Sequence, residues 1–529
     1  MNYQNRIKNR IPIFKTTEHQ GINRKIGTSH SFYMNKPSEY LKHTIADPVI
    51  APKFTASPDF SSDELMNLQQ GDKWKYHPMF QHPMIAMPRG QDFWLGDAVQ
   101  FTDSISSNHL LLIDQFMTKK TGMAYLMYAR GFDVFSGNNF NENQIRRSSS
   151  SVKKFGVSAY KIDILADLLT TPVDKSSDVF DDEGCIFDKD SEAQLIVVKD
   201  HLDLRRSDLW FNRSFVEKFK RRKANNSLMK VVNVPMTMFS DDTSGNRSKQ
   251  YNKYDSFLMV PAALPIEETH ARESHYFICT SNKVLSAVEM LPPLVDDFCA
   301  LEERIEMYSA QHGKYVLVVA PLLFISGDNP RHSQLAMHKG TSSSCYCRKC
   351  LMPTPANPNR RRKDNKVPLH PVVHEGHPPR TLVYLRQFNA AEDGSEERLL
   401  GDKLSFTKNG SEELLRLESF DPTLDTPAEM LHCIPLGVMR YLVTLMVKSN
   451  LLNASEKGRI QAFLTNYRIS KAFSRSFRNE LKHCGSFVGR DFKQLMQVLP
   501  MGLRILFGHN NNRLEPLVSS FVCLGRLAS

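Results

Sequence analysis

The sequence predicts an α/β fold with a mixed sheet, in which three strands precede a helix, a fourth strand and a second helix. Three observations carry this prediction. Apolar runs at 231–239 and 315–325 have the β-branched composition of buried strands. Between them, apolar residues recur at helical spacing from Ala287 to Ile305. The two runs end at acidic turns, Ser240-Asp241-Asp242 and Gly327-Asp328.

The remaining core elements follow from the same periodicities. They are strands at 255–262 and 276–280 and helices at 287–310 and 329–339. Pro292 and Pro293 either kink the first helix or mark its true start. The resulting order, β-β-β-α-β-α, is that of the ribonuclease-H-like fold. In that fold the first and fourth strands are parallel neighbours, so the acids at their ends lie side by side at the sheet's carboxyl edge.

Composition divides the chain into five parts. We expect a mobile basic region at 1–90, a mixed domain at 91–225, the core at 226–350, an irregular insertion that could hold zinc at 351–420, and a mostly helical region at 421–529. Local patterns predict one or two strands and a helix at 106–134, a short helix at 160–169, a basic helix at 209–223, a long loop at 353–410, and helices at 427–451 and 457–482.

Length, charge and cysteine usage limit the class of protein. The chain has 529 residues, nine cysteines and a formal net charge of +11. This charge favours a polyanionic partner such as nucleic acid, and ordinary solubility explains it equally well. No run of 18 apolar residues occurs, which predicts no membrane span. The cysteine spacing suits metal ligation better than disulfides, which indicates a reducing compartment.

Asp241 and Asp328 are the strongest candidates for catalysis. Two carboxylates that converge at strand ends can hold Mg²⁺ or Mn²⁺, because hard divalent ions prefer oxygen ligands. Such ions can flank a phosphodiester, and phosphoryl transfer depends mainly on positioning and charge neutralisation. The alternative is that each residue is an ordinary turn aspartate or helix cap.

Several blocks of sequence, in order from about residue 200 to 510, resemble CACTA-type DNA transposases, and most closely their fungal Plavaka-like branch. The blocks are Phe239–Lys249, Tyr251–Ser256, Pro293–Asp297, Gly327–Arg331, His338–Gly340, Cys347–Cys350, Asp425–His432 with Leu436–Gly437, and Gly485–Lys493. The family pattern continues past the end of this chain, so we expect a C-terminally truncated copy or a shortened gene model.

The resemblance implies a DDE-type acidic triad on a ribonuclease-H-like core. It further implies cleavage and strand transfer at transposon ends, with terminal repeats and target DNA as partners, a nuclear location and a homo-oligomer. Asp241 and Asp328 would be the first two acids, with Asp242 competing for the first position. Glu429 has the chemistry of the third acid, but with His432 it also resembles an acid-x-x-His element that precedes the final Glu in several transposase families.

In that second case the last acid lies farther along the chain, and Asp491 and Glu515 become candidates. The third acid is therefore left open between these residues. A complete triad would indicate an active transposase. Its absence would favour a catalytically inactive DNA-binding or zinc-dependent interaction protein, and a nuclease without a joining step is a weaker third hypothesis.

Cys347 and Cys350 form a Cys-x-x-Cys pair, which can occupy two corners of a tetrahedral zinc site. We expect His338 as a further ligand, and the other residues within reach are Cys345, His370, His374 and His377. Unliganded loop thiols are the alternative. Two basic runs, Lys220-Arg221-Arg222-Lys223 and Arg360-Arg361-Arg362-Lys363, could neutralise DNA phosphates, and the first could also be a nuclear import signal. Solvated surface charge explains both runs equally well.

Overall fold

The computed structural model describes much of the chain. The described residues are 15–54, 58–59, 65–80, 84–85, 93–94, 98–101, 109–118, 124–133, 159–165, 195–199, 229–244, 253–282, 284–353, 377–392, 394–467, 477, 480–508 and 513–526. The predicted basic helix at 209–223 and the basic run Arg360–Lys363 lie outside them. The chain divides into two units, Met1–Ser326 with Arg331–Thr426, and Gly327–Pro330 with Pro427–Ser529.

The described residues contain sixteen strands. In chain order they are β1 Thr17–Ile22, β2 Ser29–Met34, β3 Met84–Ile85, β4 Phe93–Trp94, β5 Ala98–Phe101, β6 His109–Thr118, β7 Ala124–Asp133, β8 Ala159–Leu165, β9 Leu195–Lys199, β10 Val231–Asn233, β11 Met236–Ser244, β12 Lys253–Pro261, β13 Tyr276–Asn282, β14 Ile305–Ser309, β15 Lys314–Val319 and β16 Leu322–Ser326.

The α-helices of the described residues number twelve. They are α1 Pro37–Ala46, α2 Asp72–Tyr76, α3 Ile266–Thr269, α4 Leu291–Glu303, α5 Asn329–Leu335, α6 Leu382–Ala390, α7 Gly394–Leu404, α8 Met430–Cys433, α9 Arg440–Lys448, α10 Ala454–Asn466, α11 Gly489–Phe507 and α12 Glu515–Arg526. Short 3₁₀ turns precede or join several of them, and a π-helical turn at Ile434–Met439 joins α8 to α9.

The first unit is built on a six-stranded mixed sheet in the order β1-β2-β13-β12-β11-β16. Neighbouring strands are antiparallel except β11 and β16, which run parallel from Met236↔Leu322 to Phe239↔Ser326. Three antiparallel strands, β13, β12 and β11, with a fourth strand parallel to β11, are therefore present. The fold is mixed α/β with mixed sheets, as expected.

A second sheet has three strands in the order β10-β15-β14. Its strands β10 and β15 directly precede β11 and β16 in the chain, and a proline lies between the two strands of each pair. The predicted first and fourth strands are each interrupted, at Pro235 and Pro321, because proline has no N–H for the ladder. Backbone bonds from Val234 N to Val319 O (2.8 Å) and from Met236 N to Pro321 O (2.9 Å) carry the pairing across the interruption.

The predicted helix at 287–310 is too long. It has a 3₁₀ turn at Ala287–Met290 and an α-helix at Leu291–Glu303, so Pro292 and Pro293 mark its true start. Arg304, at φ 146°, ends it, and β14 follows. The order is therefore β-β-β-α-β-β-α. The helix at 329–339 is likewise shorter, ending at Leu335.

The N-terminal residues described by the structure belong to the first unit's core, which differs from the expected mobile region. β2 joins the sheet beside β13 through Met34↔Cys279. Tyr40, Leu41 and Ile45 of α1 are buried at helical spacing, and Trp74 and Phe80 are fully buried in the same core. Apolar residues among the basic ones provide the burial that orders this segment.

Strands β5 to β9 form a separate five-stranded antiparallel sheet in the order β8-β7-β6-β5-β9. The helices predicted within 106–134 and at 160–169 are wrong, because these segments form β6, β7 and β8. Alternation in Tyr160-Lys161-Ile162-Asp163-Ile164 is a strand signal that a helical interpretation overlooked.

The predicted long loop at 353–410 contains α6 and α7, whose buried Leu385, Phe388 and Leu404 pack with Met337 and Phe406. The second unit is helical, as predicted, and α11 packs on α10 and α12. Among the described residues only the run Met430–Lys448 has the length and apolar composition of a membrane-crossing helix, which is weak evidence, so no membrane span is indicated.

Candidate functional site

Asp241 lies inside β11 rather than at its end, because the antiparallel ladder with β12 continues to Ser244↔Lys253. The parallel ladder with β16, however, stops two residues before it, at Phe239. Asp241 is half-buried, and its Oδ1 accepts the backbone N–H of Asp242 at 2.7 Å.

Asp242, the competing first acid, points to the opposite face of the strand from Asp241. Its Oδ2 lies 3.2 Å from Lys253 Nζ, within an ion pair at the end of the β11–β12 ladder. This cation compensates the charge of Asp242.

Asp255 is an acid that sequence analysis missed. It pairs with Asp242 across β11 and β12, is buried, and forms an ion pair with the guanidinium of Arg331, which is also buried. Lys253 Nζ lies 3.6 Å away. Because a buried carboxylate requires such compensation, Asp255 has a structural role. Its only sequence signal is a charge inside a half-buried strand.

Asp328 follows the end of β16 by two residues, as Asp241 follows the last parallel pair of β11 by two. By contacts, Gly327–Pro330 groups with the second unit. Arg331, in the helix that begins directly after Asp328, is the residue bound to Asp255. This ion pair lies within the first unit.

The outer edge of β16 is covered by a buried lysine. Lys73 Nζ donates to Leu322 O (3.0 Å), Leu323 O (2.6 Å) and Asp425 Oδ2 (2.6 Å). Burial lowers the pKa of Lys73, and the attraction of Asp425 opposes that shift. This ammonium group ties the strand leading to Asp328 to the segment around Asp425.

The fit to Mg²⁺ or Mn²⁺ rests on the donor type of Asp241 and Asp328, since carboxylate oxygens suit hard cations. Within the described part of the chain, no group of three or more His, Cys, Asp or Glu residues is arranged to hold a metal ion. The donor type alone therefore supports an oxygen-liganded ion at Asp241 or Asp328.

The three candidates for the third acid all have local roles in the second unit. Glu429 caps α8, accepting N–H bonds from Leu431 (2.6 Å) and His432 (2.8 Å) and a bond from His432 Nδ1 (2.6 Å). Burial alone would raise the pKa of Glu429, but these bonds lower it. Asp491 Oδ2 accepts Val488 N–H at the start of α11, and Glu515 lies 3.5 Å from Arg504.

The predicted cysteine ligands lie in a well-defined loop, which we call the cysteine loop, residues 345–352. Lys349 N donates to Cys347 Sγ at 3.3 Å, and Met352 N bonds to Cys350 Sγ. Burial, and to a smaller extent the neighbouring Cys347 thiol, raises the pKa of Cys350. Cys345 differs, since its thiol faces Lys403 O at 3.5 Å.

His338 does not fit the predicted ligand set. Its Nδ1 accepts the N–H of Gly340 at 3.1 Å, so the buried neutral ring donates from Nε2 to Cys345 O at 2.9 Å. With both nitrogens occupied, the imidazole has no lone pair for zinc. His370, His374 and Lys220–Lys223 lie outside the described residues, whereas His377 is described and half-buried.

Neither a protein-family model nor a curated protein matches this chain significantly. The assignment to a transposase family therefore stays a proposal, supported by the residues themselves.

Proposed function

We propose that this chain is a transposase, or a protein derived from one, that cleaves and transfers DNA strands at transposon ends with the help of a divalent metal ion. One observation carries the proposal. β11 and β16 are parallel neighbours, and an aspartate follows the last pair of that ladder by two residues on each strand, Asp241 and Asp328.

We further propose a ribonuclease-H-like topology for the first unit's sheet. In its support, β13-β12-β11-β16 has the order third, second, first, fourth, with only the last pair parallel and helix α4 between the third and fourth strands. Open α/β sheets bind ligands outside the carboxyl ends of their parallel strands. The added strands β1, β2 and β14 lie elsewhere in the sheets and leave that edge unchanged.

The chemistry follows from the donors at this edge. Asp241 and Asp328 would hold Mg²⁺ or Mn²⁺, which when bound neutralises phosphate charge and lowers the pKa of water. Phosphoryl transfer depends mainly on positioning and charge neutralisation, so two carboxylates that held such an ion beside the phosphodiester would supply what the reaction needs. Arg331 neutralises Asp255, so this third carboxylate at the edge adds no uncompensated repulsion toward DNA.

The partners would be terminal repeats and target DNA in the nucleus, with the protein acting as a homo-oligomer, as the resemblance implies. The net charge of +11 agrees with a polyanionic partner. A structural zinc ion with Cys347 and Cys350 among its ligands stays part of the proposal, and it would take no part in strand cleavage.

The test is strand cleavage by purified full-length protein with Mn²⁺ on labelled duplex taken from the inverted repeats flanking the gene. We expect nicking that Asp241→Asn or Asp328→Asn reduces by about 10³-fold or more, equivalent to about 4 kcal/mol of transition-state stabilisation. Asp242→Asn is the matched control and should keep most of the activity. Nicking that survives both substitutions would overturn the proposal.

A second candidate function is a catalytically inactive DNA-binding or zinc-dependent interaction protein of the same descent. The specific observation in its favour is that Glu429, Asp491 and Glu515 are all engaged in caps or ion pairs. Salt-dependent binding of the same duplex without nicking, in wild type as well as in both variants, would support this candidate over the first.

A further inference from the structure

The six-stranded sheet of the first unit has one covered face and one open face. Side chains alternate between the two faces along each strand, and those of the covered face are buried in the core. Among the described residues, the open face carries five large side chains with exposed fractions of 36–63%, namely Ile22 of β1, Tyr33 of β2, Phe239 of β11, Tyr254 of β12 and Phe277 of β13. Exposed aromatic and apolar side chains gathered on one surface indicate a binding site.

Two of these rings belong to one row across the sheet, which we call the aromatic row. Phe239 lies opposite Leu258, and Leu258 lies opposite Phe277. Neighbouring strands are about 4.8 Å apart, so the two phenylalanines are separated by about 10 Å. Both rings are exposed, at 40% and 44%, and Leu258 between them is half-buried. The aromatic row therefore presents flat apolar surfaces to solvent.

A polar row lies beside the aromatic row. Asp241 lies opposite Ser256, and Ser256 lies opposite Thr280. The hydroxyl oxygens of Ser256 and Thr280 are 3.0 Å apart and bond to each other. On the adjoining strands, Gln20 Nε2 donates to Ser31 Oγ at 2.7 Å. Burying such groups in a dry protein interface costs free energy, so the open face fits a partner that has flat rings and hydrogen-bonding groups of its own.

We propose that the open face binds single-stranded DNA, with bases stacked on Phe239 and Phe277 and base edges bonded to the polar row. Every base has a flat π surface, and only an unpaired strand can present it to a protein ring. The inference rests on the proposed function, because DNA is the substrate proposed for Asp241, which lies on the same face. Lys15 and Arg272, both exposed, precede β1 and β13 at one end of the sheet, where they can meet backbone phosphates.

The carboxylates of the open face disfavour a second copy of this chain as the occupant. Packing two such sheets face to face would take Asp241 and Glu18, which lies opposite Tyr33, out of water. A buried carboxylate requires a compensating cation, and none of the described side chains on the open face is Lys or Arg. A DNA strand that follows the aromatic row leaves both carboxylates in water.

The test is the fluorescence anisotropy of labelled oligothymidylate with full-length protein in EDTA. We expect Phe239→Ala and Phe277→Ala each to weaken binding by about tenfold, because each removes a ring on which a base stacks. Phe239→Tyr and Phe277→Tyr keep a ring and should retain most of the affinity. Tyr315→Ala is the matched control and should bind as the wild type does, since Tyr315 is 56% exposed but lies in the three-stranded sheet. No binding by the wild type, wild-type affinity in both alanine variants, or an equal loss in the control would overturn the proposal.

Photochemical cross-linking tests the same face without substitutions. Oligothymidylate that contains 5-iododeoxyuridine should cross-link to aromatic side chains, and peptide mass spectrometry should locate the links in β2, β11, β12 or β13. Links confined to other segments would contradict the proposal. A wild-type dimer that Phe239→Ala and Phe277→Ala dissociate, measured by sedimentation, would also contradict it, because a second copy would then cover the face.

Binding in EDTA is measured without strand cleavage, so the two proposals can fail separately. Loss of nicking with stacking-dependent binding intact would refute the proposed function and leave the open face as a site for single-stranded DNA. Metal-dependent nicking that needs Asp241, in a protein that does not bind oligothymidylate, would refute the binding face alone.

Discussion

Two buried arginines organise the two candidate sites, and their partners differ. Arg331, near the acids of the sheet edge, is paired with the carboxylate of Asp255. Arg380 lies outside the cysteine loop and donates to the carbonyl oxygens of Cys345, Cys347 and Leu404. Burial lowers the pKa of Arg380, while Cys345, Cys347 and Cys350 raise it.

The charge of Arg331 compensates a buried carboxylate, whereas the guanidinium of Arg380 holds backbone carbonyl groups in place. At the sheet edge, the guanidinium of Arg331 compensates the buried carboxylate of Asp255, and the proposed metal site is assigned to Asp241 and Asp328. At the cysteine loop, the guanidinium fixes backbone carbonyls, and its positive field acts on the neighbouring thiols. The following predictions test this contrast, from the largest expected effect to the smallest.

Replacing Arg331 should have the largest effect on stability. Arg331→Met leaves the buried carboxylate of Asp255 with only Lys253, 3.6 Å away, so we expect the free energy of unfolding to fall by about 4 kcal/mol. Urea unfolding of the full-length protein measures this. The double variant Arg331→Met with Asp255→Asn should recover most of the loss, and a double variant as unstable as the single one would contradict a compensating role.

Replacing Arg380 should cost somewhat less. Arg380→Met removes a donor from three carbonyl oxygens, of which Cys345 O still accepts from His338 Nε2 and Ser343 Oγ, so at about 1 kcal/mol for each lost bond we expect a loss of about 2.5 kcal/mol. The matched control is Arg386→Met on the exposed face of α6, for which we expect almost no change in the same urea titration. Equal effects of the two substitutions would show that Arg380 does not organise the loop.

A pH effect should come next in size. Burial, with help from the nearby charges of Arg380 and Arg348, lowers the pKa of His338 to about 4, although its bond to Cys345 O opposes this. Between pH 6.5 and 4 the unfolded chain takes up a proton that the folded chain does not. Stability is therefore lost as pH falls through this window, by about 2 kcal/mol after allowing for solvent screening.

The measurement is urea unfolding at pH 7 and at pH 4.5 for wild type and His338→Gln. The variant should lose less stability between the two pH values. His77, whose pKa burial also lowers to about 4, remains in both proteins. The variant should therefore still lose some stability as the pH falls. An identical pH dependence in wild type and variant would exclude His338 as a buried neutral imidazole.

The smallest effect should be at Glu429. Because its carboxylate caps α8, Glu429→Ala should lower the free energy of unfolding by about 1 kcal/mol, as measured by urea unfolding. Glu429→Gln keeps the shape but loses the charge near His432. If Glu429→Gln abolishes nicking while leaving stability unchanged, Glu429 is the third catalytic acid and its cap is incidental.

Much of the first unit could be predicted because its strands carry long apolar runs, such as Tyr315–Ile325. Helix α4 was predicted to continue to Ala310 because Ile305 keeps the helical spacing, whereas the reversal at Arg304 depends on pairing with β15, which local sequence does not encode. β8 was mistaken for a helix because a short apolar segment is ambiguous between the two periods.

For the candidate site, residue types at strand ends and at Cys-x-x-Cys spacing were sufficient to propose Asp241, Asp328, Cys347 and Cys350. They were not sufficient to find Asp255 or Arg380, whose importance depends on burial and on partners far away in sequence. His338 was chosen for its chemistry alone. Only the structure shows that backbone groups already occupy both of its ring nitrogens.

The most direct test of the central claim is Mn²⁺ binding to the full-length protein, followed by electron paramagnetic resonance. If Asp241 and Asp328 share an ion, the wild type should bind Mn²⁺, and Asp241→Asn and Asp328→Asn should each weaken binding by about tenfold or more. Asp242→Asn should bind as the wild type does. Equal Mn²⁺ affinity in all four proteins would contradict the claim that the two aspartates form one metal site.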